Sequence, residues 1–192
     1  MKNKKVISSW KFVLALIFFT GCGKSSNSST SSTKTITFTP SGAPSDNSVY
    51  LEEVITNNDE ITLMVKVKGG ANIYGTAMEL NFDPGKIGYV LGSGSEGIYF
   101  NQGVPGTTTF SSEPERDTNN VVLDNGVLLI GINRQGVDSE VSGDGILCQI
   151  VLKALVEQTD TPVSFNTSNS SLYDSAKVSK GNSWIGGSLS YK

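Results

Sequence analysis

Short runs of alternating apolar and polar residues, cut apart by Gly, Asn and Asp, most limit what this 192-residue chain can become. In EITLMVKVKGG, residues 60–70, Ile61, Leu63, Val65 and Val67 fall on one face, and Thr62, Lys66 and Lys68 on the other. A period of two belongs to a strand with one buried side, whereas a helix repeats its apolar residues every three or four positions. The same kind of run recurs in KTITFTP, VYLEEVI, IGYVLG, GTTTFSS, GVLLIGINRQG, GILCQIVLKALV, TPVSF and SWIGGSLSYK, with TNND as a turn before EITLMVKVKGG. Helix signals are scarce. About nine strands punctuated in this way predict an all-β fold, a nine-stranded β-sandwich with jelly-roll topology. SSEPERDTNN, residues 111–120, is polar and acidic and reads as an exposed loop or hairpin end.

One run raises a question of function. In YGTAMELNFDP, residues 74–84, Thr76, Met78, Leu80 and Phe82 form the mostly apolar face, and Gly75, Ala77, Glu79 and Asn81 the small or polar one. The first set belongs to a core. The second is flat, and two uses are open to it: the solvated side that any antiparallel sheet has, or a surface on which a partner docks.

The start of the chain predicts a compartment. Lys2, Lys4, Lys5 and Lys11 make a positive leader around an apolar run, Phe12 to Phe19, too short to span a bilayer. Phe19-Thr20-Gly21-Cys22 follows and resembles the bacterial lipobox, with Phe19 where Leu is usual. That resemblance implies a signal peptide over residues 1–21, cleavage before Cys22 and lipidation of its thiol. The mature chain would be anchored in the cell envelope by lipid alone, and Gly23 after the Cys favours the outer membrane or cell surface. Residues 22–33 are then the lipidated Cys and a Ser/Thr-rich tether, GKSSNSSTSST, with nothing to bury and a reach of about 35 Å fully stretched. Residues 34–192 remain as one domain, long enough for its own core.

Charge and composition exclude several chemistries. The leader holds four of the fifteen basic residues and none of the eighteen acidic ones, so the remainder has a net charge of −7. That balance argues against nucleic acid and against electrostatic binding to anionic lipid. The chain contains no His, which removes Ser-His-Asp and Cys-His catalysis in their usual forms and the commonest zinc ligand. With Cys22 lipidated, Cys148 has no disulfide partner and reads as a small buried hydrophobe in GILCQIVLKAL. Glu52-Glu53 and Asp59-Glu60 are paired acids, but neighbours along a strand point to opposite faces, so neither pair flanks one glycosidic bond. Asp117, Asn119, Asn120 and Asp124, like Asp83 and Asp144, offer oxygen ligands without the spacing of a helix-loop-helix calcium site, and turn formation explains them. No enzyme activity and no cofactor are expected.

The order of the segments resembles the cohesin domain family. The pieces that carry it are ITLMVKVKG, the strand ending in Phe82-Asp83-Pro84, GSEGIYF with its aromatic pair, Gly126 to Gly131 as a Gly-(apolar)4-Gly strand, VSGDGILCQIVLKAL, and TPVSF…LYDS. The resemblance covers about Val49 to Trp184. It implies a nine-stranded jelly-roll sandwich that binds another protein, the dockerin, a small calcium-binding helical pair, on one sheet. It places Gly75, Ala77, Glu79 and Asn81 outward on that sheet, joined by Leu129, Gly131 and Asn133 of the next matched strand. Glu79 and Asn133 would set the hydrogen bonds. A different extracytoplasmic protein could take the same face. The alternative is polysaccharide binding, because cohesins share their architecture with bacterial cellulose-binding modules. Those modules stack sugars on coplanar aromatics, whereas Tyr50, Tyr74, Tyr89, Tyr99 and Trp184 fall in separate segments here.

Overall fold

In the computed structural model, residues 33–102, 108–120, 122–136 and 139–192 are described. The signal-peptide, lipidation and tether expectations for residues 1–32, Cys22 among them, lie outside these residues. The described chain is β throughout apart from one 3₁₀ turn, Tyr99–Asn101. Nine strands have five residues or more: β1 (Ile36–Pro40), β2 (Ser48–Asn57), β3 (Glu60–Ile73), β4 (Gly75–Phe82), β7 (Thr108–Pro114), β8 (Val127–Arg134), β9 (Val141–Ala154), β10 (Gln158–Phe165) and β14 (Gly187–Tyr191). Five shorter pieces complete the set: β5 (Ile87–Tyr89), β6 (Ser95–Glu96), β11 (Ser171–Tyr173), β12 (Ser179–Lys180) and β13 (Ser183–Ile185).

Two sheets pack face to face. In the larger, β1, β14, β10 and β4 lie in that order; β4 pairs on its other edge with β8, which pairs with β7, while β11 and β12 continue beside the start of β4. The smaller has the order β13, β2, β3, β9, with β5 and β6 against β9. The inward residues of each strand are those the alternation assigned. Ile61, Leu63, Val65 and Val67 of β3 meet Cys148, Ile150 and Leu152 of β9 and Leu80, Leu128 and Val163 of the opposing sheet in one buried cluster. Residue Leu147 enters the same core because the β3–β9 register slips between Val65 and Lys66, leaving it as the extra residue of a bulge. Burial pushes the Cys148 thiol far up, leaving it a protonated hydrophobe.

The aromatic pair closes one side of this core. Tyr99 and Phe100 have no exposed surface and meet edge to face, ring centroids 5.1 Å apart. The Tyr99 hydroxyl donates to the Val141 carbonyl at 3.1 Å, and burial raises its pKa to about 12. At the end of β4 the Asp83 side chain accepts from the Gly85 N–H at 2.9 Å, while its carbonyl accepts from Lys86 and Ile87, turning the chain into β5 on the other sheet. Gly126 is required beside that turn. Its N-terminal partner strand lies so close that a Cβ would sit 1.9 Å from the Phe82 carbonyl oxygen, and its own carbonyl accepts from the Phe82 N–H at 2.9 Å.

Two expectations change in detail. SWIGGSLSYK is not one strand: Ser183–Ile185 pairs in parallel with β2, and after Gly186 the chain crosses to pair Gly187–Tyr191 with β1 and β10 in the other sheet. Nor is all of residues 111–120 a loop. Ser111 to Pro114 continue β7 against Gly131 to Leu128, and Ser112 is buried, its hydroxyl 2.8 Å from that of Tyr89. The paired acids are charged surface: Glu52 bridges Lys66 at 3.0 Å, Asp59 and Glu60 flank Lys153, and Glu53 accepts the Phe38 N–H.

Candidate functional site

The outer face of the larger sheet is organised as rows running across β7, β8 and β4. The pairing sets Thr109 beside Asn133 beside Gly75, then Ser111 beside Gly131 beside Ala77 beside Ser171, then Glu113 beside Leu129 beside Glu79. The middle row contains nothing larger than Ser. A shallow trough therefore crosses the sheet at Ala77, and two depressions of ≈ 250 and ≈ 420 Å³ open onto it, both lined by Ala77, Ser111 and Gly131. On one side the trough is bounded by Asn133 and Tyr173, on the other by Leu129, 43% exposed, and Glu113. A low row between two rims is a shape into which one cylinder of side chains can settle.

The expected site residues divide four ways. Ala77, Leu129 and Asn133 are exposed and Gly131 half-buried on this face. Gly75 is not available. It is buried beneath Tyr173, its partner in the β4–β11 pairing, and a Cβ at Gly75 would lie 2.6 Å from the Tyr173 hydroxyl and 2.7 Å from its ring. The missing side chain makes room for an internal ring. Asn81 is half-buried, with its Oδ1 shielded from solvent and without a hydrogen-bond partner among the described residues.

Glu79 is on the face but already engaged. Its two carboxylate oxygens accept from Asn166 Nδ2 at 2.8 Å and Asn169 Nδ2 at 2.6 Å. Its backbone N–H donates to Ser170 Oγ, and its carbonyl accepts from the Asn166 N–H. The turn between β10 and β11 is thus fastened to the middle of β4, where neither strand pairs. Those bonds, the one from Asn166 foremost, hold the Glu79 pKa below the usual carboxylate value. The resemblance assigns Glu79 to a partner's hydrogen bonds; within the domain its carboxylate already carries this turn as a wall of the face.

Three contributors escaped the sequence reading. Tyr173 covers Gly75, the Asn166–Ser170 turn covers Glu79, and β7 widens the surface by Thr109, Ser111 and Glu113. Tyr74 and Tyr173, with Asn133 and Lys177, border a further ≈ 390 Å³ depression at the end of the face. The other aromatics are dispersed. Tyr50 lies on the smaller sheet under Lys66, Tyr89 is tied to Ser112, and Trp184 packs on Phe165 with centroids 5.2 Å apart. They make no coplanar strip for a sugar chain. Among the described residues no group of three or more His, Cys, Asp or Glu could hold a metal ion.

Comparison with known proteins agrees with this architecture. The Cohesin domain family model matches residues 52–185. No curated protein matches. Solved structures similar to the chain include the second type II cohesin module of the adaptor scaffoldin ScaA of Acetivibrio cellulolyticus, with its long C-terminal linker. It is 12% identical, has a TM-score of 0.59, and the match covers 77% of this chain and 91% of that one. The sixth cohesin of scaffoldin B of the same organism, solved in complex with a Cel5 dockerin, is 19% identical with a TM-score of 0.51, covering 72% and 93%. A non-cellulosomal cohesin from the archaeon Archaeoglobus fulgidus is 12% identical with a TM-score of 0.50, covering 72% and 86%.

Proposed function

The chain belongs to the cohesin domain family, and from that premise we propose a non-catalytic module that docks a dockerin-like helical protein across the trough at Ala77. The observation that carries this reading is the row of Ser111, Gly131, Ala77 and Ser171, low enough for a helix to approach the sheet between the Leu129 and Tyr173 rims. Specific interfaces bury about 800 Å² per partner, an area that one sheet of a domain this size can supply. Relatives at low identity have been captured with dockerins, which supports the class of partner. On the same proposal the domain stands in the cell envelope, held by lipid on Cys22 through the Ser/Thr-rich tether, and meets an extracytoplasmic partner there.

The test is a calorimetric titration with a panel of calcium-loaded dockerin modules, those of the A. cellulolyticus complexes included, against the native domain and Ala77→Arg. The substitution puts a long charged side chain in an exposed position and leaves the core untouched. Affinity should fall tenfold or more, about 1.4 kcal/mol, with the unfolding temperature nearly unchanged. Full affinity in Ala77→Arg refutes docking at this face. Retention on a polysaccharide matrix that survives Ala77→Arg and is lost on substitution of Tyr74 or Tyr173 establishes the sugar-binding alternative instead.

A further inference from the structure

Large apolar side chains are exposed at ten positions among the described residues, and six of them gather toward one end of the sandwich. That end is made by the turns at Asn58–Asp59, at Pro84–Lys86, at Leu155–Glu157 and in the segment between β7 and β8. Its parts are tied together: the Ala154 N–H donates to the Asp59 carbonyl at 2.7 Å, Leu155 N–H to Lys86 at 2.8 Å, and Ile36 N–H to Asn58 at 3.0 Å. Leu155 is 51% and Val156 48% exposed on the β9–β10 turn. Leu91 stands with Val122 and Leu123 over a ≈ 170 Å³ cleft floored by Phe82 and Ile87. Ile55 is exposed just before the Asn58 turn.

The folded chain begins at this same end. Lys34 bonds Glu157 beside Val156, and the Thr35 N–H donates to the Lys192 carbonyl at 2.8 Å. The eleven residues between Cys22 and Lys34 give at most about 35 Å of chain, while the fourteen residues of β3 extend about 46 Å. A lipid on Cys22 would hold the entry of the chain at Lys34 within that reach of the bilayer, and the opposite turn, with exposed Val178, lies a strand's length from that entry. Charges at the end are paired: Lys34 with Glu157, Lys86 with Asp83 at 3.6 Å, and Lys153 with Asp59 at 3.3 Å. Exposed Lys192 adds one positive charge and Asp124 and Glu115 two negative ones, so the end is no basic patch for anionic headgroups and apolar contact remains.

We propose that this end is a lipid-contact surface, on which Leu155, Val156 and the Leu91–Leu123 rim rest among neutral headgroups. The proposal rests on the lipid-anchor reading of Cys22. Tethering supplies the high local concentration that lets a modest apolar contact persist. The sandwich then stands on end, and the docking face, which runs along the strands, stays open to the side.

The experiment uses the full chain, expressed with its leader and reconstituted in phosphatidylcholine–phosphatidylethanolamine vesicles, with Val156→Cys or Val178→Cys labelled by an environment-sensitive fluorophore; buried Cys148 does not compete. Brominated lipid should quench the emission at position 156, at low and high salt alike, and leave position 178 unchanged. An acylated protein whose two labels are equally unquenched overturns the proposal alone. Fatty-acid labelling that does not depend on Cys22 overturns the anchor reading, and the proposal with it.

Discussion

Leu80 sits at the middle of the inner row of β4 with no exposed surface, packed in the cluster that joins the two sheets. Truncation to Ala removes its methyl groups from a site that cannot collapse between two hydrogen-bonded sheets. Leu80→Ala should destabilise the domain by about 2–5 kcal/mol in urea unfolding, and a near-zero cost would mean that the faces of β4 are reversed. Such face assignments were legible residue by residue in β3 and β4, because alternation is local: Ile61, Leu63, Met78 and Leu80 are all inside. The resemblance, and not the alternation, set Leu129 and Asn133 outside, where they lie. Gly75 was not legible, since the ring that buries it belongs to Tyr173, distant in the chain and brought alongside only by strand pairing. Thr76 sits inward among apolar residues because its hydroxyl donates to the Ser171 carbonyl at 3.0 Å. Arg134 continues the inner row of β8 and is 2% exposed, with Nε and Nη2 unpartnered among the described residues; the structure offers no account of that choice.

At the scale of elements, the turn from Asn166 to Ser170 shows how composition conceals a role. In NTSNSS, a segment of small polar residues, the two Asn side chains close onto Glu79 and hold the turn against β4. Because these bonds favour the carboxylate, Glu79 has a lower pKa folded than unfolded. Its contribution is present in full above the unfolded pKa of about 4.5 and disappears as pH falls through the lowered folded value. Unfolding of the native protein and of Glu79→Gln, compared at neutral pH and at about pH 3, should therefore show a stability difference that shrinks in acid. A difference independent of pH would mean that the Asn side chains do not hold the charge. The crossing at Gly186 was hidden for a related reason: SWIGGSLSYK keeps its alternation while the chain changes sheets, and only the register with β2 on one side and β1 on the other reveals it.

For the molecule as a whole, the two ends and the two faces differ. One outer face carries the Lys66–Glu52 pair and ordinary surface charge; the other carries the trough between Tyr173 and Leu129. The fold class could be read from the strand rhythm, and the outward position of Ala77, Leu129 and Asn133 from the family's order of segments. The relief of that face could not, since depth depends on which side chains three strands and a distant turn bring into one row. The most direct measurement of the central account is an amide chemical-shift map of the domain titrated with a bound dockerin module. Perturbations confined to Thr109–Glu113, Leu129–Asn133, Ala77–Glu79 and Asn166–Tyr173 are the result expected, with β2 and β3 silent. A footprint on the smaller sheet, centred on Tyr50, Glu52 and Lys66, would contradict it.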